Sequence, residues 1–309
     1  MSVVGVDAAA VKQALEILGP LAQTEVNLGV LTTYRVGGDT ALYIEAQTVQ
    51  DLEAVARARN ETGLPVLVIG NGSNLLIADT GFPGITVATG KHFETITIDR
   101  ETATVYAGSS VALPSLARRS VALGLSGFEW AVGVPGSIGG AVRMNAGGHG
   151  GDMAGVLTEV NIFNLRTVSS ETKTNDELAF SYRRSAVEQD QIILAATLQL
   201  QHDETGGGAK ALSEIVQWRR ENQPGGQNAG SVFVNPEEET SGELLDRLGV
   251  KGFRIGSAQV SAKHANFVQA DPGGSASDVD AVINALAQRV LLETGIVLRT
   301  EIRRIGFEG

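Results

Sequence analysis

Hydrophobic and polar positions change period repeatedly along this chain, and each change marks an element. Val11, Ala14, Leu15 and Leu18 recur at helical spacing, predicting an N-terminal helix stopped by Gly19-Pro20. LTTYRVGG (31–38) reads as an extended entry ending in a glycine turn, and TALYIEA (40–46) as a strand. Thr48 caps a second helix, with Asp51 at its third position and Gly63 at its end. PVLVIG (65–70) is short and continuously apolar, the pattern of a strand buried on both faces. NGSN separates it from a second apolar run, LLIAD. Strands follow at ITVAT, ETITID and TATVYAG, and a helix over 111–124 tolerates Pro114 near its start.

Residues 127–150, GFEWAVGVPGSIGGAVRMNAGGHG, are the densest glycine stretch and read as a loop, a short helix and a second loop. Strands near 156–168 and 191–201 close the first half, and HDETGGGAK (202–210) is the best linker candidate. The second half opens with a helix through Trp218 and Arg219. PGGQNAGSVFVNP, a helix near 241–248 and a strand near 264–270 follow. Ser277 starts a helix carrying Val279, Val282, Ile283, Leu286 and Val290, ended by Gly295, and IVLRTEIRRI (296–305) is the last strand. Helices and strands mix without strict alternation, which predicts an α+β fold. The expected division is a lead-in over 1–30, a first domain over 31–203 and a second over 204–309.

Composition narrows the function. The net charge is −11, from 35 acidic and 24 basic residues, which argues against a broad nucleic-acid surface. A few arginines or backbone amides can still bind an anion locally. The chain has no cysteine, so disulfides, thiolate nucleophiles and cysteine metal sites are excluded. No metal-ligand spacing joins His149 and His264, and no metal site is expected. The N-terminus has no basic segment before an apolar run, and no uncharged run approaches the roughly 18 apolar residues of a membrane span. A cytoplasmic monomer is expected.

Two glycine blocks carry candidate chemistry. In VIGNGSNLLI, Gly70, Asn71, Gly72, Ser73 and Asn74 form a turn between apolar strands. Its free N–H groups could bind a diphosphate, or the segment could be a tight hairpin. No Lys follows as in a phosphate loop, and Leu75 stands where the dinucleotide fingerprint needs its third glycine. In GVPGSIGGAVRMNAG, Gly136–Gly140 opens a short helix that could face an anion, or could serve close packing on a sheet. Two such blocks beside apolar strands favour one extended ligand such as a dinucleotide. FSYRRS places Tyr182 and Arg183 at a strand edge, where Arg183 could hold a carboxylate or phosphate. Ser231 follows a glycine in NAGSVF. Glu301 shares a strand face with Val297, Arg299 and Arg303, which taken alone reads as an exposed strand with paired charges.

Taken in order, TYRVGG, GNGSNLLI, GFEWAVGVPGSIGGAVRMNAG, FSYRRS, NAGSVFVNP, RIGSAQVSAKHANF and LRTEIRRIG resemble the UDP-N-acetylenolpyruvoylglucosamine reductase family from about Leu31 to Gly306. The resemblance implies noncovalent FAD on an N-terminal domain of the vanillyl-alcohol-oxidase type. It also implies a smaller substrate-binding domain, NADPH as co-substrate and a UDP-sugar as acceptor. Gly70, Asn71, Gly72, Ser73 and Asn74 would hold the FAD diphosphate. Gly133, Pro135, Gly136, Ser137, Gly140 and Ala141 would line the cofactor. Arg183, Ser231 and Glu301 would be catalytic, and Tyr182, Arg183, Asn235 and His264 would contact substrate. Val234 stands where many relatives carry Lys, so that contact is lost here. The short interval after FSYRRS resembles the branch without an inserted segment folding over the substrate. Another flavin oxidase or dehydrogenase would explain the first half of the chain but not FSYRRS, NAGSVF and RTEIRR together. A nucleotide-binding regulator with a dead site predicts loss of Arg183, Ser231 or Glu301, and all three are present.

Overall fold

The computed structural model describes residues 3 and 5–307. Helix α1 (Ala8–Leu18) begins where the Asp7 carboxylate accepts the N–H groups of Ala9 and Ala10, and stops at Gly19. It lies against α2 (Val49–Thr62), whose Thr48 and Asp51 form the reciprocal capping pair that the sequence predicts. Both helices cover a sheet built from β1 (Asp39–Ala46), β2 (Val66–Ile69) and, after β3 (Leu75–Ile77) has left it, β4 (Phe82–Thr89). Strand β4 runs parallel to both β1 and β2.

Two expectations change here. PVLVIG is not buried on both faces: Leu67 and Ile69 are buried, while Val66 and Val68 are only half-buried. NGSN is not a hairpin. Strand β2 pairs with β4, whereas β3 pairs in parallel with β13 (Arg303–Ile305) from the other end of the chain. The turn therefore passes from one sheet to another. LTTYRVGG differs as well: a 3-10 turn over Gly29–Leu31 precedes an irregular stretch that buries Tyr34 and Val36 in the C-terminal core.

The second sheet is antiparallel, in the order β8-β7-β9-β6-β5. Its strands are β5 (Ile96–Asp99), β6 (Thr104–Gly108), β7 (Leu157–Asn164), β8 (Ser169–Thr174) and β9 (Gln191–Gln199). Strand β8, SSETKT, escapes the hydrophobic pattern because it is a largely exposed edge strand with no apolar face to reveal it. Helices α3 (Leu113–Ala122) and α4 (Ile138–Met144) share this sheet's core. Helix α5 (Gly208–Asn222) rests on α3 and on the 3-10 turn Glu129–Gly133, with Ile215 in the same core.

The third sheet, β10 (Arg254–Ile255), β11 (Ala258–Val260) and β12 (Val268–Ala270), packs on α7 (Ala276–Thr294), whose core also takes in α6 (Ser241–Arg247). Helix α7 buries Val279, Val282, Ile283, Leu286 and Val290 as the periodicity predicts, but Ser275 rather than Ser277 is its cap. The expected last strand shrinks to β13. Residues 296–302 have no partner strand beyond a single bridge between Phe233 and Thr300. No helix among the described residues is long and apolar enough to cross a membrane.

Candidate active site

A cleft of about 400 Å³ is lined by segments drawn from residues 68–75, 113–149, 182–183, 219–235, 267 and 301–303. The turn Gly70, Asn71, Gly72, Ser73 and Asn74 forms one wall. Gly133, Pro135, Gly136, Ser137, Gly140 and Ala141 form another. Tyr182, Arg183, Ser231, Asn235 and Glu301 reach the same space from distant parts of the chain.

Sterics fix the turn at Gly72. Its φ is +60°, and an added Cβ would lie 2.1 Å from the Leu31 carbonyl oxygen and 2.6 Å from Thr32 Cα. The glycine is thus required by close approach of the 31–32 segment. The Gly72 carbonyl accepts the Thr33 N–H at 3.2 Å. Among the described residues, the N–H groups of Asn71, Gly72 and Ser73 have no protein acceptor. Successive uncommitted N–H groups beside a cleft suit a diphosphate. The two glycine blocks also touch: a Cβ on Gly70 would meet Ser137 Oγ at 2.7 Å.

The second block works differently from the first. The Ile138 and Gly139 N–H groups donate to Val111 O and Ser109 O, and the Gly140 N–H donates to Ser137 Oγ. The first donors of α4 are therefore spent on the protein. A Cβ on Gly139 would lie 3.1 Å from Ser109 Cβ, so this glycine serves helix-on-sheet packing. Gly136 and Gly140 have only looser neighbours, and present bare backbone to the cleft.

Tyr182 and Arg183 do not stand at a strand edge. They are the central residues of a tight turn closed by reciprocal backbone bonds between Ser181 and Arg184. Arg183 has φ +57°, an uncommon conformation for a side chain of its size and one that clusters at functional sites. The Asn145 amide donates to Ser181 O and the Ser185 hydroxyl to Arg143 O, tying the turn to the end of α4. Arg183 Nε donates to Glu301 Oε1 at 2.6 Å, and its Nη2 donates to the Gly147 carbonyl at 2.9 Å. The guanidinium also lies 4.7 Å from the centre of the Tyr182 ring. Glu301 is no exposed strand charge: its side chain retains 16% exposure. Burial pushes its carboxyl above the usual Glu range, and Arg183 opposes that shift.

Ser231 follows Gly230 in a loop held from both sides. The Val232 N–H donates to Asn266 O, and the buried Asn266 side chain exchanges two hydrogen bonds with the Phe233 backbone. The Glu301 N–H donates to Val232 O at 2.7 Å, which joins the Ser231 and Glu301 segments. The half-buried Ser231 hydroxyl has no protein partner among the described residues, unlike a serine that merely closes a turn. Asn235 is exposed at the rim, and its Oδ1 accepts the Ser241 N–H at the start of α6. His264 lies outside the cleft lining. Its ring packs edge-on against Phe267, and its Nδ1 accepts the Asn266 N–H. Burial lowers its pKa, with nearby Lys251 adding to the effect.

The structure adds residues that the motifs did not single out as ligands. Arg143, Arg219 and Arg303 line the cleft with Arg183, and Glu301 is the one carboxylate among its lining residues. The site is thus locally cationic in a chain of net charge −11. Burial, with repulsion from Arg303, lowers Arg143 to about 10. Burial also lowers Arg303, whose guanidinium has no carboxylate partner among the described residues. Arg219 donates to Gln223, and His149 packs edge-on against Trp218. A signal for two of these existed. Arg143 lies three positions after Gly140 on one helix face, and Arg303 lies two after Glu301.

Uncommitted backbone donors, bare glycine walls and a ring of cations suit an anionic dinucleotide with a flat ring, and the family matches make the class an oxidoreductase with an FAD-binding domain. Residues 40–173 match the FAD binding domain family, and residues 222–305 match the C-terminal domain of UDP-N-acetylenolpyruvoylglucosamine reductase. The chain is 41% identical over 303 residues to the UDP-N-acetylenolpyruvoylglucosamine reductase of Synechococcus sp. (strain WH7803), covering 96% of each chain. It is 40% identical over 285 residues to that of Heliobacterium modesticaldum, covering 90% of this chain and 88% of the relative. The crystal structure of the Thermus caldophilus UDP-N-acetylenolpyruvylglucosamine reductase superposes with a TM-score of 0.78 at 32% identity. That match spans 92% of this chain and 99% of that one. The chain belongs to the UDP-N-acetylenolpyruvoylglucosamine reductase family and is an FAD-dependent oxidoreductase.

Proposed function

We propose that this cleft reduces the enolpyruvyl group of UDP-N-acetylglucosamine enolpyruvate to the lactyl ether of UDP-N-acetylmuramate, with NADPH as reductant, for peptidoglycan synthesis. The observation that carries the reading is the Arg183–Glu301 pair sharing a cleft with an unpartnered Ser231 hydroxyl. FAD fits the residues present. The N–H groups of Asn71 to Ser73 would hold its diphosphate, and bare backbone at Gly136 and Gly140 leaves a flat ring room to lie against the wall. Bound FAD would relay hydride from NADPH to the terminal enol-ether carbon.

The protein's own groups manage the charge and the proton. Addition of hydride leaves negative charge spread from the adjacent carbon into the substrate carboxylate. Arg183, fixed by Glu301 and Gly147, stabilises that charge without reorganising. Ser231 then gives its hydroxyl proton to the adjacent carbon, since an enolate is basic enough to take it. Glu301 keeps the guanidinium oriented. Tyr182 stands exposed beside Arg183 to meet the sugar nucleotide. An adjoining cavity of about 590 Å³ carries Arg184 and Arg299 as well as Arg143 and Arg303, which suits the substrate's diphosphate. Val234 lines that cavity, so these arginines supply positive charge where its side chain cannot. A monomer acting in the cytoplasm is part of this proposal.

The test is direct. The purified protein should be yellow, and NADPH oxidation should require the enolpyruvyl UDP-sugar. Flavin reduction by NADPH without reoxidation by this sugar would reject the substrate while keeping the cofactor. Absence of bound flavin after supplying FAD would reject both.

A further inference from the structure

Asn74 ends the glycine-rich turn, yet its side chain does not face outward as a free donor. Its Nδ2 donates to the Glu301 carbonyl at 3.1 Å, across 227 residues of sequence. Its own carbonyl accepts the Arg303 N–H at 2.9 Å, where β3 and β13 begin to pair. One residue therefore grips the backbone on both sides of the Glu301–Arg303 step. The third restraint comes from the Ser231 loop, through the Glu301 N–H bonded to Val232 O at 2.7 Å.

Glu301 depends on such bracing. Only a short antiparallel pairing reaches it from one side, with Phe233 opposite Thr300, the Val234 N–H on Arg299 O and the Glu301 N–H on Val232 O, and the next strand begins only at Arg303, so the Glu301 carbonyl between the two pairings is held by Asn74. Its carboxylate is largely buried and must meet Arg183 Nε at hydrogen-bond distance. A peptide carbonyl free to rotate would swing that carboxylate, and a buried charge out of register with its partner is costly.

We propose that Asn74 is a positioning residue for the substrate half-reaction, acting through the Glu301 backbone, and not a side-chain ligand of the cofactor diphosphate. The proposal rests on the reading that Glu301 orients Arg183 during sugar reduction. It also links the two halves of the site: the turn whose N–H groups hold the diphosphate is the turn that sets the carboxylate.

The experiment compares Asn74→Ala, Glu301→Gln and the double variant, each loaded with FAD. Flavin retained through gel filtration should stay within about twofold of the parent for Asn74→Ala, as should the rate of flavin reduction by NADPH. Reoxidation by the enolpyruvyl UDP-sugar should slow by about 10- to 100-fold, the scale of a displaced reacting group. In the Glu301→Gln background, Asn74→Ala should cost less than about twofold more, because groups acting through one another are not additive. Loss of flavin with a normal reoxidation rate at saturating FAD overturns the proposal and makes Asn74 a cofactor ligand. Full additivity with Glu301→Gln overturns it too. Glu301→Gln slow with Asn74→Ala normal refutes the proposal alone, whereas a normal Glu301→Gln refutes the reading of Glu301 beneath it. If Asn74→Ala does not fold, Asn74→Asp keeps the shape, removes the donor and allows the same comparisons at saturating FAD.

Discussion

Arg183 Nε and Glu301 Oε1 meet at 2.6 Å although 118 residues separate them. The bond joins a turn of the first half, with Arg183 at φ +57°, to a segment of the second that is paired only briefly, through the Phe233–Thr300 bridge. Each end is fixed by local bonds: Arg183 by the Gly147 carbonyl, Glu301 by Val232 and Asn74. The pair is thus prepared before substrate arrives, which is what electrostatic stabilisation of a developing charge requires.

Replacing Arg183 with Lys keeps the charge and loses the planar fork that bonds Glu301 and Gly147 together. Sugar-dependent reoxidation of the flavin should fall by about 10- to 100-fold or more. Flavin reduction by NADPH should change much less. Rapid-mixing measurements of the two half-reactions check this, and equal damage to both would make Arg183 structural.

Ser231→Ala should leave flavin content and reduction by NADPH near the parent values. Reoxidation by the sugar should slow by about 10²–10⁴-fold, the range for a positioned acid, and Ser231→Cys should recover part of it. A rate within a few-fold of the parent in stopped flow would move the proton to another donor.

Gly72→Val should damage the fold of the turn as well as flavin binding. The new side chain would meet Leu31 O and Thr32 Cα, not the cleft, and the φ of +60° is unfavourable for a β-branched residue. The flavin-free variant should therefore melt several degrees below the parent, roughly the effect of a few kcal/mol in a chain of this size. An unchanged melting temperature with full flavin content would contradict the close approach.

Asp79 joins the end of β3 to the start of α7. Its carboxylate accepts Ser275 Oγ, Ser277 Oγ and the N–H groups of Ala276 and Ser277. Burial would raise its pKa, but these bonds outweigh burial and hold it below the ordinary 3.8. A depressed folded pKa means stability that is present above the unfolded pKa and lost as pH falls through the folded value. Asp79→Asn should cost about 1 kcal/mol at neutral pH, the size of a helix cap. The gap in melting temperature from the parent should narrow below about pH 4, as the parent's own carboxyl protonates. A gap independent of pH would show that the carboxylate charge contributes nothing.

Much of this protein is legible in its residues. Helical periodicity placed α1 and α7 because each packs one apolar face, and the Thr48–Asp51 capping pair with Gly63 at the end placed α2. Seven motifs in order pointed to the family, and the roles proposed for Arg183, Ser231 and Glu301 rest on that resemblance. Strand β8 and the shortened β13 were not legible, because an exposed edge strand and a briefly paired extended segment leave no periodic apolar trace. The tertiary structure alone decided that NGSN crosses between sheets and that Arg183 sits at φ +57° in a turn. It alone turned the α4 donors inward, left His264 outside the cleft, and gave the Asn74 amide to Glu301. Local pattern reports what a segment buries and how it is capped. Which distant groups share a hydrogen bond depends on where the sheets bring the chain back together, and that is a property of the whole fold.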